Sequence, residues 1–524
     1  MCGIVGFTGR ENALPILIKG LYSLEYRGYD SAGVAAFTKD GLRVVKARGR
    51  IANLEEKIKE EGGDMYCTCG IGHTRWATHG EPSDRNSHPH LGGKGKVAVV
   101  HNGIIENYKE LRERLEAHGY EFKSETDTET VAHLVDYLHT GKQEDLAKTV
   151  LQAVQRLRGS YALGVVSMDN TQEIVAARRG NPLVIGIGEG ENMIASDITA
   201  IINRTKRYII LDDNEVAIVR PDSVVVMNEF GDTVEKEIMT VTWDMSAAEK
   251  GGYQHFMLKE IMEQPKAVAD TVKPRIKNDA VVFEDNGLTD ERLREIEHIH
   301  IIGCGSALHA GMVGKRVIEA MCRIRCTAEV ASEFRYENPI IGKKDMCIVI
   351  SQSGETADTL AAMRLAKQAG AFTIAIVNVV SSTIAREADG VLYTWAGPEI
   401  SVATTKAYSA QLSALYLISV KIARVRGLIS IGDERALCAE LQRLPECIEQ
   451  TLGCQSDMQR IATLYANRSS VFFLGRGLDY AAALEASLKL KEISYIHSEA
   501  YAAGELKHGT ISLIEEGTLV VALA

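Results

Sequence analysis

The sequence has no long uncharged apolar segment, so no membrane-spanning helix is expected. The stretch Ala410 to Ile422 is apolar but short and interrupted by Lys421, which suits a buried helix. No secretory leader is read at the start. The 10 cysteines are scattered without metal-site spacing, and Cys67-Thr68-Cys69 is too tight for a zinc pair. These absences predict a cytoplasmic chain with reduced thiols and neither metal nor cofactor. Positive charge is also in deficit: 59 Lys and Arg against 70 Asp and Glu leave a net charge of −11. That argues against nucleic-acid or anionic-membrane partners. Any anionic ligand must then be held by local groups.

At 524 residues the chain is too long for one core, and two to four domains are expected. Everything is arranged around its first residues, Met1-Cys2-Gly3-Ile4-Val5-Gly6. Removal of Met1 exposes Cys2 with a thiol and a free α-amine on one residue. A thiol with pKa near ~8.5 is mostly protonated at pH 7, and an amine near ~7.7–8.0 can accept its proton. The run Ile4 to Phe7 then reads as a strand starting at the nucleophile.

Downstream lie Gly72-His73-Thr74-Arg75-Trp76, the histidine-rich Asn86 to His90, and a strand Val97 to Val100 running into His101-Asn102-Gly103. Ser124 to Glu129 is an acidic, hydroxyl-rich helix start. Singly, each has an ordinary explanation: satisfied histidines, an Asn-Gly turn, an N-cap. Together they supply a glutamine-cleaving site. Asn102 and the Gly103 amide suit an oxyanion, Arg75 an amino-acid carboxylate, and Asp127 an α-ammonium.

These strings resemble the class II glutamine amidotransferases. The resemblance implies an N-terminal-nucleophile hydrolase fold, a four-layer α/β/β/α sandwich, over residues 1–240. It also implies glutamine contacts from Arg75, Trp76, His88 and Asp127, with Trp76 gating internal ammonia transfer.

Between 241 and 265, Gly251-Gly252 and a terminating Pro265 mark an interdomain linker feeding a helix. Beyond it the chain repeats imperfectly. Glu297 to Ser306 and Ser470 to Leu478 each read as strand, glycine turn and helix start, and neither completes a dinucleotide motif. Two doubly wound lobes are expected, at 266–430 and 455–524. After a buried strand Met346 to Ile350, Ser351-Gln352-Ser353-Gly354-Glu355-Thr356 opens a helix from Ala357 to Ala366. Hydroxyls and free amides at a helix N-terminus suit a phosphate without a cationic side chain. Glu485 to Ile496 has helical spacing, with Lys489 and Glu492 sharing a face.

The hydroxyl cluster resembles the phosphate loop of sugar isomerase (SIS) domains, which are flavodoxin-like α/β folds. The linker string resembles that of the isomerising glutamine–fructose-6-phosphate aminotransferases. That family implies L-glutamine and D-fructose 6-phosphate as substrates and a homodimer. It implies sugar-phosphate contacts from Cys304, Ser306, Ser351, Gln352, Ser353, Thr356 and Val402. It also implies Glu492 as proton shuttle, Lys489 as assisting charge, and His508 as ring opener for the neighbouring subunit. Two departures stand out. Ala307 replaces a hydroxyl residue common in the family. The chain also stops at Leu519 to Ala524, inside an apolar strand, before the family's Schiff-base lysine. A second lobe of roughly half length is therefore expected, from a fragment of a longer protein. Two alternatives are a glutaminase-only chain and a non-catalytic sugar-phosphate regulator. An amidophosphoribosyltransferase is disfavoured, since no acidic phosphoribosyl-diphosphate loop is found.

Overall fold

The apolar run after Cys2 forms the strand Gly3–Thr8, buried at all six positions because both its faces are covered. A computed structural model describes residues 2–25, 28–39, 41–61, 66–76, 80–139, 145–241, 250–284 and 286–524. The chain divides into two compact units, Met1–Met245 and Ser246–Ala524.

In the first unit Gly3–Thr8 lies inside an eight-stranded sheet, between Asn192–Ala195 and Cys69–Arg75. A second sheet of seven strands contains Val97–Ile105, Gly159–Ser167 and Asn170–Arg179. Alternation along each strand sorts the side chains into layers. Val5 and Phe7 pack on helices Ala13–Leu24 and Ile51–Glu60. Ile4 and Ile71 meet Val100, Ala162 and Ile174 between the sheets. On the far face Val97 and Val99 pack beneath helices Tyr108–Ala117, Asp127–Leu138 and Leu146–Val154. The result is the expected α/β/β/α sandwich. The strand Val97–Ile105 runs further than expected, carrying Asn102 and Gly103 within it.

The second unit opens with helices Phe256–Met262 and Gln264–Val272. Residues 242–249 of the expected linker lie outside the described residues. Pro265 does not terminate a helix: it sits in the first turn of Gln264–Val272, where its missing N–H has no intrahelical partner to lose.

The first lobe is a parallel sheet in spatial order Arg325–Val330, His298–Gly303, Asp345–Ser351, Phe372–Val377, Gly390–Tyr393. By chain order this is 2-1-3-4-5, the flavodoxin-like winding. The second is His497–Ala502, Ser470–Gly475, Leu519–Ala522, also parallel, in the order 2-1-3. The repeat extends to detail. Gly305 and Gly477 precede 17-residue helices, Ser306–Cys322 and Leu478–Ser494, with φ of 57° and 56°. Both helices end on a left-handed residue, Arg323 and Tyr495. The second helix thus starts seven residues before the expected Glu485 and ends before Ile496.

Candidate active sites

In the first unit, adjacent strands bring the thiol to its partners. The register pairs Gly3 with Thr74, so Cys2 falls beside Arg75 and Trp76. The Trp76 N–H donates to Cys2 Sγ at 3.3 Å. Burial pushes the Cys2 thiol up, against the Trp76 amide and the Arg75 charge, which pull it down. A thiol so placed needs a base.

Asn102 reaches across from the second sheet. Its Nδ2 donates to Cys2 O at 3.0 Å, and its Oδ1 accepts from His73 Nε2 at 3.0 Å. The same His73 nitrogen faces His101 O at 3.0 Å, which assigns the hydrogen to Nε2. Burial pushes His73 down to about 3, so its ring stays neutral. His88 is buried too, stacked on His73 at 4.1 Å between centroids. Expected to contact glutamine, it lies against His73, which in turn holds Asn102.

Gly103 is a position only glycine fills. Its φ is +134°, and a Cβ there would lie 2.0 Å from Ser160 O. Asp127 opens its helix and accepts the Ile105 N–H at 2.8 Å, which fixes its carboxylate to the end of the Asn102 strand. Arg75 is 3% exposed, and its guanidinium donates to Gly80 O at 3.1 Å. Trp76 is exposed and meets Tyr29 edge-on.

In the second unit, Ser351 ends a buried strand and its Oγ accepts the Gly354 N–H at 3.0 Å. Ser351 and Thr356 hydroxyls bond at 2.9 Å, and Ser353 Oγ accepts the Glu355 N–H at 3.2 Å. Gln352 is half-buried in the same loop. The helix that follows runs Ala357–Gln368, and no side chain caps its first turn. Its amides therefore remain available to an anion. Cys304 lies 3.8 Å from the Thr359 hydroxyl on that helix.

The Lys489 ammonium sits 2.5 Å from Glu492, as the shared face predicts. It also donates to Ser306 Oγ at 2.9 Å. Two residues that the sequence reading missed complete the set. Glu485 accepts from Ser306 Oγ and His309 Nδ1, both at 2.7 Å, and lies 3.4 Å from Lys489. Burial alone would raise Glu485, but His309, Lys489 and Ser306 outweigh it and hold the carboxyl below its usual range. Its spacing of four from Lys489 was a usable signal; nothing in one dimension pointed to His309. Ser306 is therefore engaged by the Glu485–Lys489 pair, while Val402 stands exposed on its own loop. His508 is exposed and makes no side-chain hydrogen bond or ion pair among the described residues.

A thiol-and-amide site in a double-sheet sandwich, followed in the chain by a sugar-isomerase-type unit, defines a glutamine amidotransferase of two functional halves. Family models agree: a glutamine amidotransferase domain matches residues 73–203, and a SIS domain matches 292–421 and 464–524. Curated relatives include glutamine–fructose-6-phosphate aminotransferase (isomerizing) of Caldanaerobacter subterraneus, 55% identical over 525 residues. The same-named protein of Clostridium tetani is 54% identical, and that of Methanosarcina acetivorans 47%. Each alignment spans 100% of this chain and 86% of the relative. The solved C-terminal domain of glucosamine-fructose-6-phosphate aminotransferase from Francisella tularensis is 38% identical, with a TM-score of 0.51. It covers 52% of this chain, which covers 77% of it. The chain belongs to the isomerising glutamine–fructose-6-phosphate aminotransferase family. Among the described residues no helix is long and apolar enough to cross a membrane.

Proposed function

We propose that this enzyme transfers the amide nitrogen of L-glutamine to D-fructose 6-phosphate and isomerises the product to glucosamine 6-phosphate, releasing glutamate. The observation that carries the reading is the Cys2–Asn102–His73 arrangement in one unit, with the Lys489–Glu492 pair beside Ser306 in the other.

Residues 1–240 act as the glutaminase. Once Met1 is removed, the α-amine of Cys2 takes the thiol proton, and the thiolate attacks the glutamine amide carbon. The tetrahedral oxyanion is held by the second hydrogen of Asn102 Nδ2 and the Gly103 N–H. Arg75 binds the substrate carboxylate and Asp127 its ammonium, while His88 and His73 position Asn102. Collapse leaves a glutamyl thioester and ammonia, which passes Trp76 to the sugar site; water then releases glutamate.

Residues 266–430 and 455–524 act on the sugar. Ser351, Gln352, Ser353 and Thr356 hold the phosphate with hydroxyls and amides, which suits an acidic chain. Cys304, Ser306 and Val402 line the sugar. Ammonia condenses with the open sugar's carbonyl, whose oxygen leaves as water, and Glu492 then moves a proton between C1 and C2 beside the Lys489 charge. The exposure of His508 supports a homodimer in which it serves the second subunit's site, and the enzyme is read as cytoplasmic from its sequence.

The test measures glutamate release from glutamine with and without fructose 6-phosphate, alongside glucosamine 6-phosphate. Both products rising with the sugar support the reading. Glutamate insensitive to sugar marks a glutaminase alone, and sugar binding without glutamate release in processed protein marks a regulator.

A further inference from the structure

The loop carrying Val402 is held from one side by the first helix after the interdomain segment. Glu260, 2% exposed on Phe256–Met262, accepts the Ile400 N–H at 2.5 Å. It also accepts the Ser401 N–H at 3.0 and 3.3 Å on its two oxygens. At the start of the helix that follows the loop, the buried Lys406 ammonium meets Glu263 at 2.7 Å. Ser409 Oγ donates to Gln264 Oε1 at 2.6 Å. From within the loop, Glu399 accepts the Thr405 and Ala407 N–H groups and caps the helix Lys406–Val425. Residues 260–264 thus hold the loop at Ile400 and Ser401 and the helix after it at Lys406 and Ser409, while Val402 between them is 61% exposed.

The geometry points to Glu260 as a positioning residue for sugar-phosphate binding: it seats Ile400 and Ser401 on the helix Phe256–Met262 so that Val402 is presented to the sugar. The inference rests on the reading of Val402 as a sugar contact given above. A buried carboxylate bonded to two consecutive amides, with no solvent to replace it, over-determines a loop that otherwise has an exposed tip. Charge adds a second handle. Burial raises the Glu260 carboxyl to about 7, against the Ser401 and Ile400 amides that lower it. Glu399, itself pushed up by burial, and Lys406 face it from the loop, and Lys259 and Glu263 flank it on its own segment. An ionised acceptor grips amides more firmly than a neutral one.

Fructose 6-phosphate binding is measured by calorimetry on the full 524-residue chain, as wild type, Glu260→Gln and Glu260→Ala. At pH 8, Ala should weaken binding about tenfold, and Gln, whose oxygen still accepts, by less. The Gln-to-wild-type ratio of dissociation constants should rise from near one at pH 6 to its largest value at pH 8. The ligand's phosphate is common to both proteins and cancels from that ratio. Wild-type-like affinity in Glu260→Ala overturns the inference, as does a pH-independent ratio, the mark of a merely structural carboxylate. If the wild type binds no sugar phosphate, the sugar reading falls and this inference with it. A variant that fails to fold leaves hydrogen exchange on the wild type to decide. The Ile400 and Ser401 amides should be protected without ligand, and exchange at open-loop rates overturns the assignment.

Discussion

His73 touches no reacting atom in the proposed chemistry, yet its replacement should cost most of the glutaminase rate. Asn102 is aimed by two contacts: its nitrogen to Cys2 O and its oxygen to His73 Nε2, both 3.0 Å. Replacing His73 by Leu keeps volume but strips the second contact and leaves a buried amide oxygen unpaired. That penalty is about 1–3 kcal/mol, which corresponds to roughly 5- to 150-fold. The amide relieves it by rotating, which turns Nδ2 away from the oxyanion. Loss of an oxyanion donor costs about 10²–10³ in kcat, so His73→Leu should lose about 10- to 100-fold in kcat for glutamate release, with KM less affected. The assay is a double-mutant cycle with Asn102→Ala. If His73 acts through Asn102, His73→Leu should do little in the Asn102→Ala background. The same fold loss in both backgrounds would refute the argument. The pH profile gives an independent check. His73 sits at about 3 and burial holds His88 and His90 well below their usual value. None of the three should contribute an inflection to kcat between pH 5.5 and 8.

Cys2→Ala should abolish glutamate release while leaving fructose 6-phosphate affinity within twofold, read by calorimetry on the same preparation. Gly354→Ala places a Cβ 1.9 Å from Ser382 Oγ at a φ of +66°, so the phosphate loop must shift; sugar-phosphate affinity should fall at least tenfold by the same measurement. Glu485→Gln removes the charge that Lys489 and His309 face. Formation of glucosamine 6-phosphate should drop about 10- to 100-fold, in line with about 1.5–3 kcal/mol for a charged hydrogen bond, and be followed by product assay.

What could be read from the chain was what is contiguous in it. Cys2, Arg75-Trp76, Asn102-Gly103 and the 351–356 hydroxyl loop are short strings whose chemistry is local, and the strand-and-turn repeat showed the two lobes. What could not be read acts over distance. His309 meets Glu485 from 176 residues away, and Glu260 meets Ile400 from 140. Neither position has a one-dimensional pattern, since Glu260 lies in an ordinary charged helix string, Lys259-Glu260-Ile261. His88 shows the same limit. The histidine-rich run Ser87-His88-Pro89-His90 is plain in the sequence, but how its rings pack is not. Stacking of His73 on His88, with His101 beyond it, is a tertiary fact that turns that density inward. Pro265 was misjudged because a proline serves equally to stop a helix and to start one.

The duplicated lobes also explain why the Lys489–Glu492 pair is not the solvated surface pair its spacing suggests. The two equivalent helices, Ser306–Cys322 and Leu478–Ser494, pack on one another. Glu485 and Lys489 project from the second onto Ser306 and His309 at the start of the first. Each lobe alone would leave half of this polar set facing water, where an exposed ion pair contributes little. Packed together, Glu485 is 7% exposed and Lys489 is drawn toward Ser306, which orders the ammonium beside Glu492. A charge so ordered can stabilise the charge that develops as a proton leaves C1 of the aminated sugar, without first reorganising. The groups proposed for isomerisation therefore depend on the first lobe for their geometry. Substitutions at Ser306 or His309 should consequently be felt at Glu492 even though neither residue belongs to its helix.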